Sequence, residues 1–197
     1  MIPVLSIEPG GRIVRGLALP YGSGAYVIED DGDIVEEMMD EQSLDQLPGA
    51  VPLLQSHRRD VPALGVVRHW AVIPGKGLGA EAELVVSDPE LDAWHRRFKH
   101  GLTSGLSVGF RYDKRRTQWE RPTRAGDPPR KRPRGVAIEE LSLVEWPAYT
   151  SAGVTAAAQR GANDQHRHAE SERIIREWEQ GRAEWAHKQR MRAQSRR

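Results

Sequence analysis

Residues 51–84 read VPLLQSHRRDVPALGVVRHWAVIPGKGLGAEAEL, and the fold class turns on this stretch. Its apolar runs, VPLLQSH (51–57), ALGVVRHWAVI (63–73) and, continuing to residue 86, GLGAEAELVV (77–86), are separated by Arg58-Arg59-Asp60 and by Pro74-Gly75. Runs rich in Val and Ile and bounded by Pro or Gly predict strands. A fourth run, LSVGFRY (106–112), reads as a strand in the same way. Between them Asp88 is placed to cap a helix with Pro89 at its first position, and Leu91, Trp94 and Phe98 recur at i, i+3 and i+7. That spacing predicts a short amphipathic helix ending near Gly101.

Outward from this core, Leu5, Ile7, Ile13, Val14, Leu17 and Leu19 flank Pro9-Gly10-Gly11 and predict two strands joined by a turn, with a further break at Pro20-Tyr21-Gly22-Ser23-Gly24. On the other side Val136–Val144 predicts a last strand, stopped by Trp146-Pro147-Ala148. The expectation is a mainly β fold with a few helices (α+β): a mostly antiparallel barrel or curved sheet of six or seven strands, helices packed outside, and a site on its surface.

The 197 residues carry 29 Lys and Arg against 28 Asp and Glu, a net charge of +1, so there is no global case for an acidic partner. Charge is instead segregated. Residues 28–45 hold nine acids and no base, and predict a solvated face or loop. Residues 111–134 hold ten bases and three acids, with five prolines or glycines from residue 122 on, and predict a long, flexible basic loop. The mean hydropathy of −0.63 is low for a globular domain and points to chain outside the core. Beyond Ala158 only Ile174, Ile175, Trp178 and Trp185 form an apolar stripe, on a charged helix in need of a partner. No cysteine is present, which excludes disulfides, thiolate zinc sites, iron–sulfur clusters and a cysteine nucleophile, and fits a reducing compartment. With no basic-then-apolar leader at the start and no run of 18 apolar residues, the chain reads as neither exported nor membrane-bound.

Without cysteine, covalent catalysis needs Ser or Thr beside a general base, because a hydroxyl is a poor nucleophile until its proton is taken. Of seven histidines, His57 ends an apolar strand and can sit at a sheet edge; the rest lie in charged or helical contexts. Ser107 and its rival Ser104 lie in Gly101–Phe110, where glycines leave room for a substrate backbone. A third group must fix the imidazole tautomer, and Glu139, Glu140 and Glu145 are the carboxylates set in an apolar strand. Strand alternation puts Glu140 on the face of Ser142 and Glu139 on that of Leu141. His95 and His100 fall on different helix faces and His166 and His168 lie in the polar tail, so no metal or other cofactor is expected. Gly75-Lys76-Gly77-Leu78-Gly79 lacks the spacing of a phosphate loop and reads as a hairpin turn.

In their order and spacing these segments resemble the prohead proteases of tailed bacteriophages, capsid-maturation serine peptidases similar in fold to herpesvirus assemblin. The resemblance rests on RIVRGLALPYGS (12–23), an acidic stretch, VPLLQSH (51–57), ALGVVRHW and GKGLGAEAEL, the Gly101–Phe110 motif GLTSGLSVGF, and ELSLVEWPA (140–148). It covers about residues 11–154. It implies an assemblin-like fold and a Ser–His–Glu peptidase in which Ser107 is the nucleophile, His57 the general base and Glu140 the third member, with Glu139 next to it as the rival. The oxyanion hole of assemblins uses an arginine-bearing segment, and the matching Glu145–Ala148 has no arginine.

The resemblance also implies a setting: action in the host cytoplasm, inside the assembling prohead, on the scaffold part of the major capsid protein and on the protease itself, as a homodimer or larger assembly. Residues 1–154 would form the protease domain. Residues 155–197 would form a helical tail that tethers it to scaffold or capsid and is removed by self-cleavage, with Ala156-Ala157-Ala158-Gln159 small enough to enter a narrow cleft. Two rival functions differ in class. One is a catalytically idle assembly factor of the same fold, against which the presence of both His57 and Ser107 speaks. The other is a nucleic-acid module acting through Tyr112, Trp119 and the basic loop, which the net charge disfavours.

Overall fold

Alternating apolar residues on consecutive runs need a second surface to bury against, and here a long sheet supplies it by curling on itself. The computed structural model describes residues 6–7, 11–29, 31–103, 105–122 and 127–149. In chain order its elements are β1 (Ser6–Ile7), β2 (Ile13–Pro20), β3 (Gly24–Ile28), β4 (Ile34–Met38), β5 (Val51–Gln55), β6 (Gly65–Ile73), β7 (Gly77–Leu84), α1 (Asp88–Lys99), β8 (Gly105–Arg111), β9 (Gln118–Glu120), β10 (Arg130–Arg132) and β11 (Ala137–Val144). The fold is mainly β with one helix among the described residues, and a seven-stranded sheet ordered β1-β2-β7-β6-β5-β11-β8 curls into a half-barrel.

One side of the sheet is the core. Leu19, Leu53, Val67, Leu78, Leu84, Leu106, Leu141 and Leu143 are almost wholly buried there, and Leu91 and Trp94 of α1 join the same cluster. At roughly 1.5–3 kcal/mol for each large aliphatic side chain taken out of water, this cluster dominates the stability of the half-barrel. The helix begins one residue earlier than the sequence suggested: Ser87, in extended conformation, is the N-cap, and Asp88 is already helical. The helix ends as expected, with Gly101 beyond it at φ +67°, a left-handed conformation in which a Cβ is strained.

The sheet is mostly antiparallel, as expected, with one parallel pair in it: β5 runs parallel to β11, with Leu53, Leu54 and Gln55 beside Leu141, Ser142 and Leu143. The strand carrying VPLLQSH thereby lies beside ELSLV although more than eighty residues separate them. One expectation is corrected: the charged runs are neither a free loop nor a bare acidic face. They form a second sheet, ordered β3-β4-β10-β9, in which acidic β4 pairs in parallel with basic β10. Neither run forms this sheet alone, since each repels itself; together they neutralise. Arg130 binds Glu36 (2.7 Å) and Glu120 (3.3 Å), Arg134 grips Asp40 with both terminal nitrogens (2.8 and 3.0 Å), and Arg116 does the same to Asp45 (2.6 and 2.8 Å). Such two-pronged guanidinium–carboxylate pairs fix geometry as well as charge. The tail expected over 155–197 lies outside the described residues.

Candidate active site

The site grows out of the register of three neighbouring strands. In the β8–β11 pair Ser107 lies directly opposite Ser142, and Gly109 opposite Glu140. Period-two alternation therefore sends these four residues to one face, while Leu106, Val108, Leu141 and Leu143 pack on the other. The register slips between Ile138 and Glu140, leaving Glu139 as an extra, unmatched residue. A bulge of this kind re-aims the side chains on either side of it. The carboxyl of Glu139 is turned out to Arg59 (3.4 Å) and Arg111, whereas Glu140 is buried, 3% exposed.

His57 arrives from β5. After Gln55 the chain makes a turn in which Ser56 and His57 both adopt left-handed backbone, at φ +48° and +59°. Non-glycine residues pay of the order of 1–3 kcal/mol each for that conformation and keep it only where their surroundings impose it. The turn brings the His57 ring onto Glu140: Nδ1–H donates to Oε1 over 2.6 Å. Because a carboxylate only accepts, this contact sets the proton on Nδ1 and leaves Nε2 as an acceptor. The second oxygen, Oε2, accepts from the Ser142 hydroxyl (2.8 Å), and that hydroxyl accepts in turn from the His57 main-chain N–H (2.9 Å). The glycine opposite is required for this geometry. A Cβ on Gly109 would lie 2.2 Å from Oε1 of Glu140.

His57 and Ser107 line one cleft of about 390 Å³, bounded also by Val27, Phe110, Lys131 and Tyr149. The His57 side chain is 45% exposed, open to a substrate, while its carboxylate partner is sealed beneath it. Ser107 and the ring share no direct hydrogen bond among the described residues. Apo sites often leave this contact loose until substrate closes it. Of the alternatives weighed from sequence, Ser104 is outside the described residues and Glu145 pairs instead with Ser56 Oγ (3.3 Å). Among the other histidines, His95 hydrogen-bonds the Gly11 carbonyl (3.0 Å), and His69 and His100 are exposed. No group of three or more metal-binding side chains occurs among the described residues.

Sequence reasoning missed the far wall of the cleft. Lys131, 3% exposed in its side chain, binds Glu29 and Glu37 (2.8 Å), and its ammonium sits 4.5 Å from the ring centre of Tyr112. Tyr112 donates to Glu29 (3.1 Å) and Tyr149 to Glu37 (2.6 Å). Burial, followed by the Glu37 charge, pushes the Tyr149 phenol far above its usual range. For Lys131 burial pulls downward, but the hydrogen bonds to Glu29 and Glu37 outweigh it and its pKa is raised. The network ties the small sheet to the chain just after β8 and just after β11, so the charged runs build one side of the cleft. The only sequence signal was that two runs of opposite sign needed each other.

In comparisons with known proteins, the family model described as caudovirus prohead serine protease matches residues 4–167. A search of curated proteins finds no match to the chain.

Proposed function

Since the chain belongs to the caudovirus prohead serine protease family, and is thus a capsid-maturation protease of the serine class, we propose that it hydrolyses peptide bonds with Ser107 as nucleophile, His57 as general base and Glu140 as the group that orients the imidazole. The observation that carries this reading is the 2.6 Å contact of His57 Nδ1 with a buried carboxylate, on the cleft that Ser107 also lines. Ser107 Oγ attacks the scissile carbonyl carbon while Nε2 of His57 takes its proton. The tetrahedral intermediate then collapses, the C–N bond breaks, and His57 returns the proton to the leaving amine. Water, deprotonated by the same nitrogen, attacks the acyl-enzyme, and collapse of the second intermediate frees the acid and restores Ser107. Glu140 stabilises the imidazolium formed in each half and keeps Nε2 turned to the substrate.

The proposed substrates are the scaffold part of the major capsid protein and the protease's own chain, cut inside the assembling prohead. Ala148 and Tyr149, the last described residues before the 155–197 tail, line the cleft. That supports a cut near Ala156–Gln159. Among the described residues no helix is long and apolar enough to cross a membrane.

The test is co-expression of the protein, or of Ser107→Ala, with its capsid precursor, followed by intact mass of both chains. Shortening of the precursor or of the protease by the wild type alone is expected. If neither variant changes any mass while both assemble with the precursor, an idle assembly factor of the same fold replaces this reading.

A further inference from the structure

We propose that Ser142 is a positioning residue for the reaction: one buried hydroxyl that fixes both the backbone of the base and the carboxylate behind it. The inference rests on the Ser107–His57–Glu140 reading and adds a residue to it. Ser142 is 0% exposed and lies within β11, on a buried stretch where side-chain oxygens are usually avoided because burying one without partners is costly. Its hydroxyl has one proton and accepts through its lone pairs, and both capacities are used on the site. The proton goes to Oε2 of Glu140 (2.8 Å); a lone pair accepts the N–H of His57 (2.9 Å).

Each half of that arrangement solves a separate problem. The χ3 torsion of a glutamate is soft and roughly two-fold, so a carboxylate held through one oxygen alone can rotate. Engaging Oε2 leaves Oε1 facing Nδ1 of His57. The turn at Ser56–His57 is held in left-handed backbone by three amides: Ser56 N–H to Leu143 O (3.0 Å), Arg58 N–H to Gln55 O (2.9 Å), and His57 N–H to Ser142 Oγ. The first two are main-chain bonds that many sequences could make. The third requires a hydroxyl at 142. Register places the same residue opposite Ser107, so the nucleophile, the base and its carboxylate are all referred to one point on β11. Removal of the hydroxyl leaves the part-buried His57 N–H and a buried carboxylate oxygen without it, and the simplest relief is rotation of Glu140 toward the amide and away from the ring.

The experiment uses the full chain and diisopropyl fluorophosphate, which phosphorylates an activated serine with loss of fluoride, followed by intact mass; the proton NMR resonance of His57 Nδ1–H reports the ring–carboxylate bond directly. In Ser142→Ala that still melts cooperatively, labelling slows by 10- to 100-fold and the Nδ1–H resonance moves upfield or vanishes, while Ser142→Thr, which keeps the hydroxyl, recovers both. Where Ala does not give a cooperative melt, Ser142→Cys, similar in volume and a weak donor, is read the same way. Labelling at the wild-type rate with the resonance unmoved overturns the proposal and leaves the Ser–His–Glu reading standing. Slow labelling with the resonance unmoved, unrecovered by Thr, assigns Ser142 a structural role only and also overturns it. A folded wild type that never labels at Ser107 overturns the reading on which it rests.

Discussion

Gly109→Ala adds one methyl group and tests the whole proposed arrangement through a residue with no chemistry of its own. Gly109 lies in β8 without left-handed backbone, and alanine in a strand interior ordinarily gains about 0.5–1 kcal/mol over glycine. Here the new Cβ would stand 2.2 Å from Oε1 of Glu140 and 2.9 Å from its Cγ and Cδ, against ordinary contact at 3.4 Å or more. The carboxylate must therefore retreat by about 1.2 Å, the difference between 2.2 and 3.4 Å. Oε1 is the atom that holds Nδ1 of His57 at 2.6 Å, so a retreat of that size breaks the bond unless the ring follows, and the ring is pinned by its strained turn. A misplacement of about 1 Å costs about 100-fold in rate, equivalent to about 2.7 kcal/mol of transition-state stabilisation. Stability should move far less, because the burial on the core face of β8 is untouched. The assay is the rate of Ser107 labelling by diisopropyl fluorophosphate alongside a thermal melt, with Gly49→Ala as the control, since a Cβ there meets nothing within 4 Å. Labelling of Gly109→Ala within about threefold of wild type would refute the requirement for Glu140 at this distance.

Glu140→Gln should lower Ser107 labelling by about 10³–10⁴-fold through loss of the correct tautomer, and Glu139→Gln, whose carboxyl faces Arg59 and Arg111, by no more than about threefold; equal effects would reopen the choice between them. Lys131→Met should destabilise by about 3–5 kcal/mol in urea unfolding, because it strands Glu29 and Glu37 in a buried wall, and a loss below about 1 kcal/mol would show that water reaches the network. Stability should also fall in alkali. Tyr21, raised to about 12 chiefly by burial, and Tyr112, Tyr149 and Lys131, all raised, have folded pKa values above their unfolded ones. Their contributions are complete below about pH 10 and are lost as pH rises through the folded values, so urea midpoints should drop above pH 10, and less steeply in Tyr149→Phe; an unchanged slope in that variant would detach Tyr149 from the effect.

What was legible in the sequence follows from the range of each signal. The strands of the half-barrel announced themselves because apolar alternation is local, and α1 because its capping region and its 3.6-residue spacing are local too. Glu140 sharing a face with Ser142 needed only the strand period. The parallel pairing of β5 with β11 was not legible, since it joins segments more than eighty residues apart and leaves no mark on either. The bulge at Glu139 was equally silent: no glycine or proline signals it, and only the partner strand defines which residue is in excess. The second sheet was missed for a different reason. Each charged run, taken alone, satisfies every criterion for solvated loop, and only their juxtaposition turns repulsion within a run into attraction between runs.

These failures of local reading gather around one cleft, and there is a physical reason for that. A strand that merely packs can follow its period throughout, but a site must bring a base, a carboxylate and a hydroxyl to one face at fixed distances, and the pleat does not supply those distances by itself. Glu140 reaches Nδ1 because a bulge precedes it, because the residue opposite has no side chain, and because two consecutive residues of the β5 turn hold left-handed backbone. Part of the lining of the cleft is built from charges that would oppose burial singly and accept it together. Each departure costs stability locally and is sustained by the apolar core on the opposite face of the same strands. Conflict between local preference and tertiary position thus gathers at this cleft, and it draws attention to Ser142, Gly109 and Lys131 as the residues that surround the proposed Ser107, His57 and Glu140.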